Sequence, residues 1–190
     1  MSGIERFKTW AFKIEKMILS RMDAKRARLS SACGKTVLGA YEEKHVKEYN
    51  ALMQDPQLLD LTGSEAQSLE EEYETYRVWQ TDSERLCLLL FDESGFFVGD
   101  VNAFFRSDED ETVAEVTVMV ARPSERQKGH AARALLLFFE LLRKVENAPS
   151  KLEARIKLHN KPSIALFSKL GFVEESVSEA FGEVTFVRQI

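Results

Sequence analysis

The chain of 190 residues is long enough for one domain with or without an arm, and its hydrophobic fraction of 44% can fill a core. No apolar run is long enough to span a bilayer. Two cysteines and three scattered histidines argue against a disulfide framework and a metal site, so we expect a metal-free cytoplasmic protein. The net charge of −5 divides into +5 over residues 1–32 and −10 over the remainder, which argues against nucleic-acid binding by the domain and favours an amine-bearing partner.

The first 32 residues are predicted to form a basic amphipathic arm, and residues 33–190 the folded domain. Apolar residues fall on one side of a helix in this arm, with lysine and arginine between them: Phe7, Trp10, Ile14, Met17, Ile18 and Met22. Three interpretations stay open: a mitochondrial presequence, a helix that contacts a membrane surface, and an arm that is disordered or packs on the domain. The acidic residues Glu5, Glu15 and Asp23 count against the presequence.

Local signals in the first half of the domain predict where its elements begin and end. Pro56 ends the first helix, because proline disfavours helix in the residue before it. Ser68 and Glu71 have the spacing of a capping box, which begins the second helix. Residues 92–95 are predicted as a hairpin loop. In chain order we predict a strand over 36–41, a helix over 42–53, a loop or short turn over 58–63, a helix over 68–80, and strands over 86–91 and 96–106.

The second half of the domain is predicted to begin with a charged turn over 107–111. A helical apolar face is formed by Ala132, Leu135, Leu136, Phe139 and Leu142. In chain order we predict a strand over 114–121, a helix over 129–144, a strand over 152–158, a helix between Asn160 and Gly171, and strands over 172–177 and 184–187. Because strands are grouped rather than alternating regularly with helices, the pattern predicts an α/β fold with a mixed sheet.

The segment from Arg126 to Ala131 connects the central predicted strand to the next helix. The first N–H groups of that helix lack partners inside it, and the helix dipole adds partial positive charge, so the segment predicts an anion site. Arg126 and Lys128 add side-chain charge, and Gly129 lets the backbone approach a ligand without a Cβ atom. Taken alone, the segment is as typical of an ordinary basic turn, since it is neither a P-loop nor a dinucleotide fingerprint.

Two motifs in the chain resemble those of the GNAT superfamily of acyl-CoA-dependent N-acetyltransferases. Arg126-x-x-Gly129-x-Ala131 resembles its Arg/Gln-x-x-Gly-x-Gly/Ala signature, and the segment from Asn160 to Phe172 resembles its Asn-x-x-Ser/Ala-x-x-x-Phe/Tyr-x-Lys-x-Gly-Phe helix. Other segments are similar to the N-acetyltransferase 9-like branch, among them Leu61-Thr62, Trp79-Gln80, Val98-Gly99-Asp100-Val101-Asn102 and Glu183-Val184-Thr185. The resemblance covers about residues 36–187.

The resemblance implies a mostly antiparallel mixed sheet with flanking helices, in which the strands over 114–121 and 152–158 part at one end. Acetyl-CoA is then the cosubstrate, and its pantetheine enters this gap. Backbone groups implied to bind it belong to Met119 and Val120 for the pantetheine, and to Arg126, Gln127, Lys128, Gly129, His130 and Ala131 for the pyrophosphate. Asn160 either contacts the cofactor arm or only caps its helix.

The resemblance also implies a general base for the reaction. Glu115 lies eleven residues before Arg126, where many members of the superfamily carry a glutamate that acts through a water during direct attack by the amine. Alternatively, Glu115 is an ordinary polar strand residue, and Glu183 is a second candidate for the base. Phe167 stands where many members have a tyrosine that protonates the departing thiolate, so the general acid is unassigned.

The sequence therefore predicts an acetyl-CoA-dependent N-acetyltransferase that acts on an amine of a protein or peptide. Two alternatives stay open. One is a GNAT-fold protein with lost turnover that binds partners, and the other is an acetyltransferase for small-molecule amines. Loops over 58–64 and 176–182 are predicted to select the acceptor. The sequence distinguishes neither an α-amine from a lysine amine nor a monomer from a homodimer.

Overall fold

The computed structural model describes residues 19–108 and 111–190. The strands are β1 (Leu29–Ser30), β2 (Val37–Ala40), β3 (Arg85–Phe91), β4 (Phe97–Asp108), β5 (Glu111–Val120), β6 (Lys151–Lys157), β7 (Val173–Ser178) and β8 (Glu183–Gln189). The helices are α1 (Arg21–Ala24), α2 (Val46–Leu52), α3 (Pro56–Thr62), α4 (Leu69–Thr81), α5 (His130–Leu142) and α6 (Lys161–Lys169). Within the described residues the strands form one eight-stranded sheet with the spatial order β1-β2-β3-β4-β5-β6-β8-β7.

The central strands β5 and β6 pair over a short stretch and then separate. They run parallel, and 113–115 pair with 151–153, whereas the other neighbouring strands are antiparallel. β4 follows β5 as far as Val120, and β8 follows β6 as far as Lys157. Each central strand is thus held by its outer neighbour while a gap opens between the two. The parted central strands that the resemblance implied are confirmed.

Helices cover both faces of the sheet. α5 and α6 pack on one face, in a core that includes Phe138 of α5 and Ala114 and Val116 of β5. α2, α3 and α4 pack on the other face, in a second core that includes Met119 of β5. Because side chains alternate along a strand, Glu115, like Met119, faces the layer of α2, α3 and α4. This face is called the α2–α4 face below.

The residues predicted as a loop over 58–63 form α3 instead, so this expectation was wrong. Asp55 accepts a hydrogen bond from the N–H of Gln57. Pro56 stands in the first turn, where backbone N–H groups make no hydrogen bond within the helix, so the lack of an N–H at proline costs nothing there. The Asp-Pro pair that ends the preceding helix therefore also begins this one. Gly63 ends α3 with a φ of 64°, in the left-handed region that favours glycine.

Two further expectations were wrong in detail. Residues 107–108 and 111–112, predicted in or beside a turn, extend β4 and β5 and pair with each other. Leu136 was placed on the buried face of α5 but is 51% exposed, whereas Phe138 and Leu141 are buried. The helix buries a wider surface against the sheet than one narrow apolar stripe. The capping box of Ser68 is confirmed.

Residues 19–32, the described part of the predicted arm, pack against the rest of the domain, whereas most of the predicted amphipathic helix lies outside the described residues. Ala24 and Ala27 are buried in the core on the α5 face. The Lys25 ammonium donates hydrogen bonds to the carbonyl oxygens of Trp79 and Asp82 at the end of α4. A cation placed against the last carbonyls of a helix is favourable, so this contact holds the segment to the domain.

Within 19–108 and 111–190, no helix is long and apolar enough to cross a membrane. No group of three or more histidine, cysteine or acidic side chains in the same ranges is placed to hold a metal ion. Cys33 is exposed, Cys87 is buried, and both thiols are free.

Candidate active site

The loop between β5 and α5 contains two left-handed residues. Gln127 has a φ of 62° and Gly129 a φ of 79°, a conformation that suits glycine and costs free energy at glutamine. α5 begins at His130, and Gly129 has no side chain with which to cap it. The first N–H groups of α5 are thus left to a ligand or solvent, at the positive end of the helix dipole. Gln127, Lys128 and Gly129 are exposed, so an anion has access to these groups.

The basic side chains of this loop are held by the protein itself. Arg126 Nε donates to the Val120 carbonyl oxygen at 3.2 Å, and Nη1 donates to Gln57 Oε1 at 3.5 Å. Lys128 Nζ lies 3.0 Å from a carboxylate oxygen of Glu125, and this contact lowers the pKa of Glu125. Lys128 and the other nitrogens of Arg126 therefore shape the loop. The donors left without a partner among the described residues are the backbone N–H groups that follow Arg126 and the buried Arg126 Nη2.

His130 and Arg133 tie the loop to Thr36, which precedes β2. Thr36 Oγ1 lies 3.0 Å from His130 Nδ1 and accepts from Arg133 Nε at 2.8 Å. Arg133 Nη2 donates to the Lys128 carbonyl oxygen at 2.9 Å. A Cβ atom on Gly129 would lie 2.7 Å from Arg133 Nη1, so a larger residue there displaces this arginine. Burial, and then the charge of Arg133, lower the pKa of His130, so its side chain is a neutral structural group.

Met119 and Val120 lie on β5 beyond its last pair with β6. Among the described residues, this part of β5 has no strand neighbour on the side of the gap. Unpaired backbone groups at a strand edge bind an extended ligand much as they would bind another strand. On the other side, a Cβ atom on Gly99 of β4 would lie 1.9 Å from the Met119 carbonyl oxygen, so β4 and β5 approach closely here. This close approach fixes the position of Met119 and Val120 beside the gap.

Glu115 lies at the closed end of the gap. It is the last residue of β5 that pairs with β6, and its side chain is 22% exposed. Arg155 Nη2 lies 3.4 Å from Glu115 Oε2. Sequence reasoning missed Arg155, because its position beside Glu115 depends on parallel pairing between strands that are far apart in the chain. No local pattern carries that information.

α3 connects the two sides of the gap. At its start, Gln57 accepts the hydrogen bond from Arg126 of the loop after β5. Near its end, Asp60 Oδ2 lies 2.9 Å from Nε2 of His159, which follows β6. The segment predicted to select the acceptor thus lies over the gap as a helix, anchored at both ends.

Asn160 caps α6, which was one of its two predicted roles. Its Oδ1 accepts from the Ser163 N–H at 3.2 Å, and its Nδ2 lies 3.5 Å from the Leu61 carbonyl oxygen at the end of α3. A primary amide has two N–H donors, so one of them stays available for a ligand in the gap.

Phe167 and Glu183 lie apart from Glu115. Phe167 is 2% exposed and packs edge-on against Phe172 with 5.0 Å between ring centroids, so it lies in the core and offers no proton donor. Glu183 pairs with Lys157 at 2.9 Å. Lys157 lies four residues beyond Glu153, the β6 partner of Glu115, which is about 13 Å along the strand. The structure therefore places Glu115, and not Glu183, where β5 and β6 part.

Comparison of the sequence with known proteins finds one matching family and several relatives. A family model described as acetyltransferase (GNAT) domain matches residues 35–173. An N-acetyltransferase 9-like protein of Nematostella vectensis is 37% identical over 160 residues, which cover 78% of this chain and 80% of that protein. Alpha/beta-tubulin-N-acetyltransferase 9 of Drosophila melanogaster is 36% identical over 171 residues, which cover 82% of this chain and 84% of that protein. The protein of that name in Homo sapiens is 36% identical over 163 residues, which cover 80% and 78%.

Solved structures share the fold. Spermidine N-acetyltransferase from Vibrio cholerae, in complex with CoA and spermine, matches with a TM-score of 0.70 and 20% identity over 82% of this chain and 95% of that one. RimL, a ribosomal L7/L12 alpha-N-protein acetyltransferase in complex with CoA, matches with a TM-score of 0.71 and 16% identity over 86% and 98%. At these identities the likeness concerns the fold alone, and it confirms the predicted architecture.

Proposed function

This chain belongs to the GNAT family of acetyltransferases and is an acetyl-CoA-dependent N-acetyltransferase, and on that premise we propose that it acetylates a protein amine with Glu115 as the general base. One observation carries the proposal. β5 and β6 part directly after the pair of Glu115 with Glu153, and of these two carboxylates Glu115 is the more exposed, since Glu153 is buried and paired with Arg106 and Lys151. The loop with free helix N–H groups stands beyond the far end of β5.

The names of the relatives support a protein acceptor. Two of them, from Drosophila melanogaster and Homo sapiens, are named alpha/beta-tubulin-N-acetyltransferase 9. Their similarity to this chain extends over about four-fifths of its length. We therefore take tubulin as the first acceptor to test, with its α-amino groups and its lysines as separate candidates.

The site fits the cosubstrate. The backbone N–H groups of residues 127–131 would hold the pyrophosphate of acetyl-CoA, since Gly129 leaves them uncovered, whereas the N–H of Arg126 already donates to the Pro123 carbonyl oxygen. The unpaired edge of β5 at Met119 and Val120 would pair with the pantetheine amides, and the free amide hydrogen of Asn160 would face the same gap. The bound acetyl-CoA supplies the thioester that the amine attacks.

The residues at the closed end of the gap have distinct roles in this proposal. The amine must lose a proton as its nitrogen forms a bond to the acetyl carbon, and Glu115 receives that proton through a water. A backbone N–H group of β5 stabilises the developing oxyanion. The carbon–sulfur bond then breaks. Because Phe167 has no proton to give, the thiolate takes one from solvent, which a thiol pKa of about 8.5 permits.

Replacement of Glu115 by Gln tests the proposal. Loss of a general base lowers kcat by a factor of about 10² to 10⁴, whereas the Kd of acetyl-CoA stays at the wild-type value because its proposed ligands are groups of other residues. Acetyl transfer to purified αβ-tubulin is followed by mass spectrometry, which also locates the modified amine. Glu183→Gln is the matched control and is expected to keep the wild-type rate. A Glu115→Gln enzyme with wild-type kcat contradicts the assignment of the base.

A further inference from the structure

Two polar residues of β4 are buried on the α2–α4 face, and the roles proposed above do not involve them. Asp100 is 3% exposed and Asn102 is 7% exposed. Both belong to the segment Val98-Gly99-Asp100-Val101-Asn102, which the sequence comparison with the N-acetyltransferase 9-like branch singled out. Burying a carboxyl or an amide group costs free energy unless the group is hydrogen-bonded, so the contacts of these two side chains indicate a specific role.

Buried polar side chains lie in a row that ends at the gap. The Tyr49 hydroxyl donates to Asp100 Oδ2 at 2.7 Å, and Asn102 follows Asp100 on the same face of β4. Asn102 Nδ2 lies 3.5 Å from Thr117 Oγ1. This row leads from α2 across β4 to a hydroxyl on β5.

Thr117 occupies a particular place in the sheet. It pairs with Asn102 and lies two residues after Glu115, so the two side chains point to the same face of β5. It is also the first residue on that face beyond the last pair of β5 with β6, and it is only half-buried. Because Asn102 donates to the Thr117 oxygen, the hydroxyl proton of Thr117 is free to be donated into the gap.

The same amide leaves one acceptor open. Among the described residues, Asn102 Oδ1 is buried and has no hydrogen-bond partner. Buried carbonyl oxygens in folded proteins are nearly always bonded to the protein or to an ordered water. Asn102 and Glu115 are diagonal neighbours on adjacent antiparallel strands, about 7–8 Å apart at the backbone. One water can bridge side chains across that distance.

We propose that Thr117 is a positioning residue for the acetyl transfer, and that its hydroxyl, fixed by Asn102, orients the water through which Glu115 receives the amine proton. This inference rests on the proposed function. The amine proton passes to the water, and a proton of the water passes to the Glu115 carboxylate. Thr117 donates a hydrogen bond to the water oxygen and exchanges no proton itself.

A pair of substitutions at Thr117 separates the hydroxyl from the shape of the side chain. Thr117→Val removes the hydroxyl and keeps the branched side chain, whereas Thr117→Ser keeps the hydroxyl. Thr112→Val is the matched control, because it is the same change on the same strand, half-buried, on the opposite face and beside the turn between β4 and β5. Each variant is measured for thermal unfolding, for acetyl-CoA affinity by calorimetry, and for kcat with αβ-tubulin as the acceptor.

We expect Thr117→Val to lower kcat about ten-fold or more, the effect of one lost hydrogen bond in the transition state, with unchanged acetyl-CoA affinity. Thr117→Ser is expected to recover most of the rate, and Thr112→Val to keep all of it. In an enzyme that already carries Glu115→Gln, adding Thr117→Val should not lower kcat further, since both residues act through one water. A Thr117→Val enzyme with wild-type kcat, or losses that multiply in the double variant, overturns the inference while the proposed function stands.

A crystal structure with CoA gives a readout that needs no acceptor. We expect an ordered water within hydrogen-bond distance of Thr117 Oγ1 and the Glu115 carboxylate, and its loss in Thr117→Val. If no water lies there in the wild-type complex, the inference is wrong, whatever the acceptor proves to be. If the water is present but tubulin is not acetylated, the inference stands and the acceptor assignment fails.

Discussion

Replacing Gly129 by Glu should abolish acetyl-CoA binding while leaving a folded protein. Gly129 has a φ of 79°, and a side chain in that conformation costs about 1–2 kcal/mol. Its Cβ atom would displace the Arg133 guanidinium, which donates hydrogen bonds to the Lys128 carbonyl oxygen and to Thr36 Oγ1. The loss of these two bonds adds about 2 kcal/mol. The sum is smaller than the usual stability of about 5–15 kcal/mol, so the variant folds.

The effect on binding is larger than the effect on folding. A carboxylate at position 129 lies at the start of α5, where the pyrophosphate is proposed to bind. Two like unit charges about 5 Å apart repel by about 3 kcal/mol at an effective dielectric constant of about 20, and pyrophosphate carries more than one charge. A loss of about 3 kcal/mol raises the Kd by more than about a hundred-fold.

Calorimetric titration with acetyl-CoA and thermal unfolding of the same samples measure the two effects separately. Gly129→Ala is the matched control, because it has the same backbone strain and the same clash with Arg133 but no charge. We expect modest weakening in Gly129→Ala and no measurable binding in Gly129→Glu. If Gly129→Glu binds acetyl-CoA as the wild type does, the pyrophosphate does not lie at this loop. If both variants lose binding equally, strain and not charge is responsible.

Two further predictions concern β4 and the loop. Gly99→Ala places a Cβ atom against the Met119 carbonyl oxygen, so β4 and β5 must separate. We expect the free energy of unfolding, measured by urea titration, to fall by about 1–3 kcal/mol, and acetyl-CoA binding, measured by calorimetry, to weaken. An unchanged urea midpoint of unfolding would contradict this. The pKa of His130 is lowered in the folded protein, so the unfolded chain binds a proton first and stability falls as the pH drops below about 6.5. This contributes a slope of at most about 1.4 kcal/mol per pH unit to the free energy of unfolding between pH 6.5 and pH 5.5. We expect His130→Gln to remove that contribution. Identical slopes in the two proteins would show that His130 does not titrate in this range.

The elements that sequence reasoning located correctly are those whose signals are local. Ser68 and Asn160 accept hydrogen bonds from backbone N–H groups three residues later, and this spacing is visible in the sequence. α5 was predicted from apolar residues that recur at helical spacing after Gly129, and this spacing too is visible in the sequence. α3 was missed because Asp55-Pro56 carries two local signals at once, a stop for one helix and a cap for the next, and only the stop was recognised.

The parts of the site that sequence reasoning missed depend on contacts between distant segments. Arg155 reaches Glu115 only because β5 and β6 pair in one particular parallel register. Thr117 lies at the gap only because that pairing ends at Glu115, and Asn102 lies beside it only because of the register between β4 and β5. A shift of register by one residue would turn each of these side chains to the other face, and no local pattern specifies that choice.

Two carboxylates face each other at the closed end of the gap, and their surroundings differ. Glu115 and Glu153 pair directly across β5 and β6, and two carboxylates in that position repel unless each has a cation. Burial of Glu153 raises its pKa, but the ion pairs with Arg106 and Lys151 outweigh burial and hold the pKa below its usual value. Glu153 is therefore an ionised carboxylate that is paired with two cations. Glu115 is more exposed and has a longer contact, at 3.4 Å, to the half-exposed Arg155. Of the two opposing carboxylates, Glu115 is therefore the more accessible from the gap.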